Sequence, residues 1–101
     1  MINTCYGNQI PHKVLSDDTS RLINQIWKLI PMRENNENWK NHLNNIIIEI
    51  SGLYSILNLD GLILLSKLEG LKNQELDFLS YRNIVFRSIT LLNRELGNYY
   101  E

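Results

Sequence analysis

Apolar residues at helical spacing are the dominant pattern in this chain. The pattern is clearest over residues 37–57, where the apolar positions recur mostly three or four apart: Trp39, Leu43, Ile46, Ile47, Ile50, Leu53, Tyr54 and Leu57. At about 100° per residue these side chains cover about a third of the helix circumference, which is the width of a stripe facing a core. A strand of this length would be rare. The pattern therefore predicts a long helix that begins near Glu37 and is capped by Asn35 or Asn36.

The preceding segment predicts a first helix over residues 16–30. Residues 16–18, Ser-Asp-Asp, offer short polar side chains that can cap free backbone amides. Apolar residues then recur at helical spacing, namely Leu22, Ile23, Ile26, Leu29 and Ile30. Pro31 disfavours helical geometry in the residue before it, so the helix should end there or close to it. Residues 1–15 show no sustained period and predict an irregular arm or a loosely packed strand.

Two further segments are apolar enough to be helices. Residues 62–71 are apolar nearly all round, which fits a buried helix or a central strand. We interpret them as a helix because leucine outnumbers the β-branched residues and Gly70, followed by a leucine, resembles a helix stop. A last helix, capped by Asn73, should run from about Gln74 to Leu96 and end at Gly97. Residues 98–101 would then be a frayed tail.

These elements predict an all-α fold, a small single-domain bundle of about four helices with a short irregular N-terminal arm. The 101 residues leave room for one domain, and 44% hydrophobic and 21% charged residues are typical of a globular chain. We expect an arm over 1–15, the bundle over 16–97 and the tail over 98–101. The formal net charge of -1 provides no long-range field that would attract nucleic acid or an anionic membrane. No signal peptide or membrane-spanning run is recognisable, so a cytoplasmic location is expected.

The sequence offers little for catalysis or metal binding. A single cysteine excludes an intramolecular disulfide, and the two histidines do not stand at the spacing of helical metal ligands. The glycines occur singly, so there is neither a phosphate-binding loop nor a dinucleotide-binding fingerprint. We therefore expect a non-enzymatic protein with no catalytic residue, metal or cofactor.

Arg82 departs from the helical pattern. It falls near the centre of the apolar face of the last helix, which is formed by Phe78, Val85, Phe86, Ile89, Leu92 and Leu96. One interpretation is structural: the stem packs on the core while the guanidinium reaches water or pairs with Glu49. The other is functional: Arg82 projects into a pocket and binds a carboxylate or phosphate. His42 lies on the same helix edge as Glu49, so these three residues would form one polar patch.

Three other residues are candidate contacts with a partner. Arg87 and Arg94 stand seven apart on the polar face of the last helix, which is typical of a solvated face but also suits an acidic partner. Trp27 lies at the margin of the first apolar stripe. A tryptophan there either covers the edge of the core or anchors an interface.

The leading functional hypothesis is a protein-protein interaction module, such as a small inhibitor, immunity or adaptor protein. Its partner would be another protein or a second copy of itself, because a bundle this small has more apolar surface than it can bury alone. The alternative is a nucleic-acid-associated subunit that uses the arginines of the last helix, which three acidic residues on that helix disfavour. A third hypothesis is a ligand pocket built on Glu49, His42 and Arg82.

Overall fold

A computed structural model describes residues 2–3, 9–72 and 75–100. Within these residues the chain forms two short strands and five helices: β1 (Ile2–Asn3), β2 (Gln9–Ile10), α1 (His12–Trp27), α2 (Leu29–Glu34), α3 (Trp39–Ile56), α4 (Leu62–Gly70) and α5 (Phe78–Tyr100). The strands pair antiparallel, with Ile2 opposite Ile10. The predicted all-α bundle is confirmed, and the segment 62–70 is a helix rather than a strand.

The helices enclose one apolar core. α5 packs against α1, α2 and α4, and α3 packs against the same three helices. Each helix contributes side chains that are almost completely buried: Leu15, Leu22, Ile26, Leu29, Leu43, Ile46, Ile50, Tyr54, Leu57, Leu64, Leu68, Leu71, Tyr81, Val85, Leu91, Leu92 and Leu96. Burial of one large apolar side chain stabilises the fold by about 1.5–3 kcal/mol. The helices are therefore held together mainly by packing these side chains against one another.

α1 begins earlier than the sequence pattern predicts. Its N-cap is Pro11, and its first residue, His12, precedes the expected start by four residues, so the predicted arm is wrong from residue 12 onward. The apolar stripe also begins earlier, at the buried Leu15. Thr19 is polar and so interrupts the apolar pattern in the sequence, but its side chain is buried in the same stripe. Its hydroxyl donates to the carbonyl of Leu15 at 2.8 Å, so the polar group is satisfied without water.

Pro31 does not end the helical run. α1 ends at Trp27, close to the expected position, but after a turn at Lys28 the backbone becomes helical again and includes Pro31. The proline occupies the first turn of α2, where backbone N–H groups have no partner within the helix. Its missing donor is therefore tolerated, and helical structure continues to Glu34, beyond the predicted end.

The other helix ends differ from the prediction in detail. Asn38, rather than Asn35 or Asn36, caps α3 by accepting from the backbone of Asn41 at 3.3 Å. α5 begins at Phe78, where the side chain of Asp77 accepts from the backbone of Ser80 at 2.7 Å. The predicted cap Asn73 lies outside the described residues.

Gly97 does not end the last helix, which continues to Tyr100. A single glycine inside a helix costs only about 1 kcal/mol, too little to stop a helix of this length. Of the predicted frayed tail, residues 98–100 are therefore helical in backbone, and residue 101 lies outside the described residues.

Candidate functional site

Arg82 does not lie in the core. The buried face of α5 is rotated away from the predicted one and runs through Tyr81, Val85, Ser88, Leu92 and Leu96, while Arg82 is exposed. The predicted face of α5 is wrong because two of its polar residues are buried. The Tyr81 hydroxyl donates to the Leu29 carbonyl at 3.0 Å, and the Ser88 hydroxyl donates to the Ile84 carbonyl at 2.8 Å. Both side chains are buried because the backbone satisfies their polar atoms.

The predicted patch of Glu49, His42 and Arg82 is not formed. Glu49 accepts a hydrogen bond from Arg21 of α1, with 2.7 Å between Nη1 and Oε2. His42 also contacts α1, with its Nε2 2.9 Å from the carbonyl oxygen of Gln25. Glu49 and His42 therefore belong to the contact between α1 and α3. Neither the pairing of Glu49 with Arg82 nor a pocket built on these three residues is present.

This arrangement predicts a small effect on stability when either of the two arginines is removed. We expect Arg21→Met to lower the free energy of unfolding by about 0.2–1 kcal/mol, because it breaks an exposed ion pair. Arg82→Met should change it by less than about 1 kcal/mol, because Arg82 is exposed and its guanidinium lies over the ring of Phe86. Urea denaturation of both variants measures these differences. A loss of 3 kcal/mol or more for Arg82→Met, as expected for a broken buried pair, would contradict this assignment.

A groove lies between α4 and α5 on the described surface. Its volume is about 350 Å³, and it is lined by Ile63, Lys67, Phe86, Arg87, Thr90, Leu91 and Arg94. We call its apolar lining residues (Ile63, Phe86 and Leu91) the floor and its basic lining residues (Lys67, Arg87 and Arg94) the rim. Ile63 is 66% exposed and its neighbour Leu62 is 69% exposed. We call this feature the α4–α5 groove.

Phe86 brings several of the predicted site residues together at the α4–α5 groove. The Trp27 ring packs against Phe86 with 5.1 Å between centroids and 61° between the ring planes. The guanidinium carbon of Arg82 lies 5.3 Å from the centroid of the Phe86 ring. Arg87 and Arg94 line the groove directly. Four of the six predicted binding residues therefore lie in or beside this groove, while Glu49 and His42 lie elsewhere.

The α4–α5 groove is positively charged although the whole chain is not. Lys67, Arg87 and Arg94 line it, and no acidic residue is among the described side chains that do so. Within the described ranges none of these three residues forms an ion pair within 4.0 Å. Glu95 follows Arg94 in the chain, and burial raises its pKa while the charge of Arg94 partly opposes that rise. The groove therefore presents basic groups that are available to a partner.

A second groove, between α1 and α3, has a different electrostatic character. Its volume is about 300 Å³, and it is lined by Asp18, Arg21, Leu22, Ile48, Glu49, Gly52, Leu53 and Ile56. Arg21 contacts both carboxylates, at 2.7 Å for Glu49 and 4.0 Å for Asp18. The charges in this groove are therefore engaged with one another, and it offers less to a charged partner than the α4–α5 groove does.

Arg33 is a structural residue that the sequence pattern did not indicate. Its guanidinium carbon lies 4.5 Å from the centroid of the Tyr81 ring and 5.7 Å from that of Trp39. Its Nη2 donates to the carbonyl of Leu76, in the segment that leads into α5. Burial raises the pKa of Tyr81, and the positive charge of Arg33 partly offsets this rise. Arg33 therefore fixes the start of α5 against α2 and α3.

The described residues show neither a metal site nor a membrane-spanning helix. Among the described residues no three His, Cys, Asp or Glu side chains are grouped so as to hold one metal ion, and Cys5 lies outside those residues. No described helix is long and apolar enough to cross a membrane. The fold alone does not indicate a function, because small helical bundles serve many. Comparison with known proteins adds no family, since no family model, no curated protein and no solved structure matches this chain.

Proposed function

We propose that this protein is a non-enzymatic protein-binding module, in the manner of a small inhibitor, immunity or adaptor protein, and that it binds through the α4–α5 groove. The observation that carries the proposal is the two-sided character of α4. Leu64 and Leu68 on one side are completely buried in the core, whereas Leu62 and Ile63 on the other side are about two-thirds exposed. The exposed pair contributes little to the fold and is available for a partner.

Burial of this exposed surface would favour binding. Covering a side chain of the size of leucine or isoleucine contributes about 1.5–3 kcal/mol. Interfaces commonly combine such an apolar centre with aromatic and arginine residues around it. The α4–α5 groove has this composition, since Phe86 is flanked by Trp27 and by arginines.

The chemistry of the α4–α5 groove suits binding better than catalysis. None of its described lining residues carries a carboxylate, imidazole or thiol, the groups that most often transfer protons or attack substrates. Its one hydroxyl, that of Thr90, donates to the carbonyl of Phe86 at 3.0 Å. This hydroxyl is engaged by the backbone and has no general base beside it among the groove residues.

Affinity capture with matched variants tests the proposal. Tagged wild-type protein, Ile63→Asp and Ile48→Asp are expressed in the native host, and the retained proteins, including untagged copies of the chain, are quantified. Ile48 is 69% exposed on α3 and lies outside the α4–α5 groove, so it controls for the loss of an exposed isoleucine. We expect a stoichiometric partner that Ile63→Asp loses and Ile48→Asp retains. Equal retention by all three baits would refute binding through this groove.

A further inference from the structure

We infer that the partner segment bound in the α4–α5 groove is an acidic amphipathic helix, with carboxylates on both sides of an apolar anchor. This inference rests on the proposed function and specifies the chemistry of the partner. It follows from three properties of the groove: its apolar floor, the spacing of its arginines and the partial cover over its aromatic ring.

The floor determines the apolar part of the partner. Ile63, Phe86 and Leu91 line a depression of about 350 Å³, at the small end of the range for sites that enclose ligands. Leu91 is nearly buried and Ile63 is exposed, so the depression is open on the α4 side. An apolar side chain projecting from a partner helix can enter here and displace water from all three residues.

The rim determines the charged part of the partner. Arg87 and Arg94 are seven residues apart on α5, which separates them by about 10.5 Å along the helix axis. Carboxylates at positions i and i+7 of a partner helix have the same separation. Arginine binds carboxylates through two parallel hydrogen bonds, and Lys67 on α4 supplies a third positive charge across the groove. The spacing therefore matches an acidic helix lying along α5.

Nucleic acid fits the same charges less well. Single-stranded nucleic acid binds basic grooves by stacking bases on exposed aromatic rings. The aromatic ring in the groove is Phe86, and Arg82 lies over it while Trp27 packs against it. Three basic residues on a chain of net charge -1 also give a weak field for a polyanion. The observations therefore favour a carboxylate-bearing protein segment.

The inference is tested with defined probes on the full chain labelled with ¹⁵N. The first probe is an alanine-based helical peptide with glutamates at i and i+7 around a central leucine, the second is the same peptide with lysines in place of the glutamates, and the third is a single-stranded oligonucleotide. We expect the acidic peptide to shift the amide resonances of residues 62–67 and 86–94 in a saturable manner. The basic peptide should leave these resonances unchanged, and the oligonucleotide should shift them little.

Charge-reversal variants identify the residues that bind the peptide. Arg87→Glu combined with Arg94→Glu should weaken binding of the acidic peptide about tenfold or more, since two charge-assisted contacts become repulsive. The control combines Lys13→Glu with Lys28→Glu, which changes the net charge equally at exposed positions outside the groove, and should stay within about twofold of wild type. Equal weakening by both pairs would show a non-specific charge effect and overturn the inference, as would saturable binding of the basic peptide or the oligonucleotide at the groove.

The same arginine variant separates this inference from the proposed function. In the affinity capture, a partner that is lost with Ile63→Asp but retained at wild-type level with Arg87→Glu and Arg94→Glu would refute the acidic helix while supporting the groove as a protein-binding site. A partner lost with both variants supports both statements. Failure of the acidic peptide to shift the groove resonances at millimolar concentration overturns the acidic inference alone.

Discussion

Replacing Ile50 with Asp should unfold this protein, whereas the same replacement at Ile48 should leave its stability nearly unchanged. The two residues stand on the same helix, α3, but Ile50 is completely buried and Ile48 is 69% exposed. An aspartate at position 50 would place a carboxyl group in the apolar core, where neither its charged nor its neutral form has a partner. The penalty is several kcal/mol, against a total stability of about 5–15 kcal/mol for a domain of ordinary size.

Far-ultraviolet circular dichroism combined with urea denaturation measures both variants. Ile50→Asp should lose most helical signal, or should unfold at a much lower urea concentration than wild type. Ile48→Asp should keep the wild-type spectrum, with a change in unfolding free energy of about 0.5 kcal/mol or less. Similar behaviour of the two variants would show that the assigned buried face of α3 is wrong, and with it the packing of α3 against α1 and α4.

The sequence predicts a helix best where the apolar side chains are buried and the polar side chains are exposed. Over α3 the apolar stripe and the buried face agree, so periodicity alone located the helix. Over α1 and α5 the stripe includes Thr19, Tyr81 and Ser88, whose hydroxyls donate to backbone carbonyls inside the fold. A pattern that counts these residues as solvent-facing shortens α1 and rotates the face of α5. For this reason the pattern places Arg82 near the centre of an apolar face, whereas the structure leaves it exposed.

The candidate site was predictable only in part. Arg87 and Arg94 could be recognised because their spacing places them on one face of a single helix, which is local information. The partner of Glu49 could not be recognised from the sequence, because only the packing of α1 against α3 determines whether Glu49 lies beside Arg21 or Arg82. The exposure of Ile63 could not be predicted either, since α4 is apolar nearly all round and only the tertiary fold determines which side is buried.

The exposed side of α4 also bears on the proposed function. α4 is apolar nearly all round, and the core covers Leu64, Leu68 and part of Leu65 but leaves Leu62 and Ile63 exposed. α5 lies beside it and provides basic residues next to the uncovered part. The same two helices therefore close the core on one surface and form the α4–α5 groove on the other. Substitutions at exposed groove residues should consequently have little effect on folding, so they can be used to test the proposed binding.

Gly61→Ala should destabilise the protein by about 1–3 kcal/mol, as is usual when a well-packed core receives an extra methyl group. A Cβ atom at position 61 would lie 2.5 Å from Cδ2 of Tyr54, far inside van der Waals contact. The φ of Gly61 is -93°, which any residue adopts, so the effect is steric and not conformational. Tyr54 is buried and cannot swing away without disturbing the core.

Gly52→Ala is the matched control, with an effect of opposite sign. Gly52 lies within α3, and a Cβ there would meet nothing within 4 Å. Alanine should therefore stabilise the helix by up to about 1 kcal/mol, because glycine loses more backbone entropy on folding. Urea denaturation of the two variants reports both changes. A stabilised Gly61→Ala protein would rule out the close approach of this loop to Tyr54.

A double-mutant cycle identifies the ring of Tyr54 as the cause. The Tyr54 hydroxyl is buried and has no hydrogen-bond partner among the described residues, so Tyr54→Phe should be nearly neutral or stabilising. Because phenylalanine keeps the ring, its effect should add to that of Gly61→Ala. Tyr54→Leu removes the ring and leaves space for the new methyl group, so the loss caused by Gly61→Ala should shrink in that background. Additive losses in the leucine background would assign the effect of Gly61→Ala to the loop backbone instead of the contact with Tyr54.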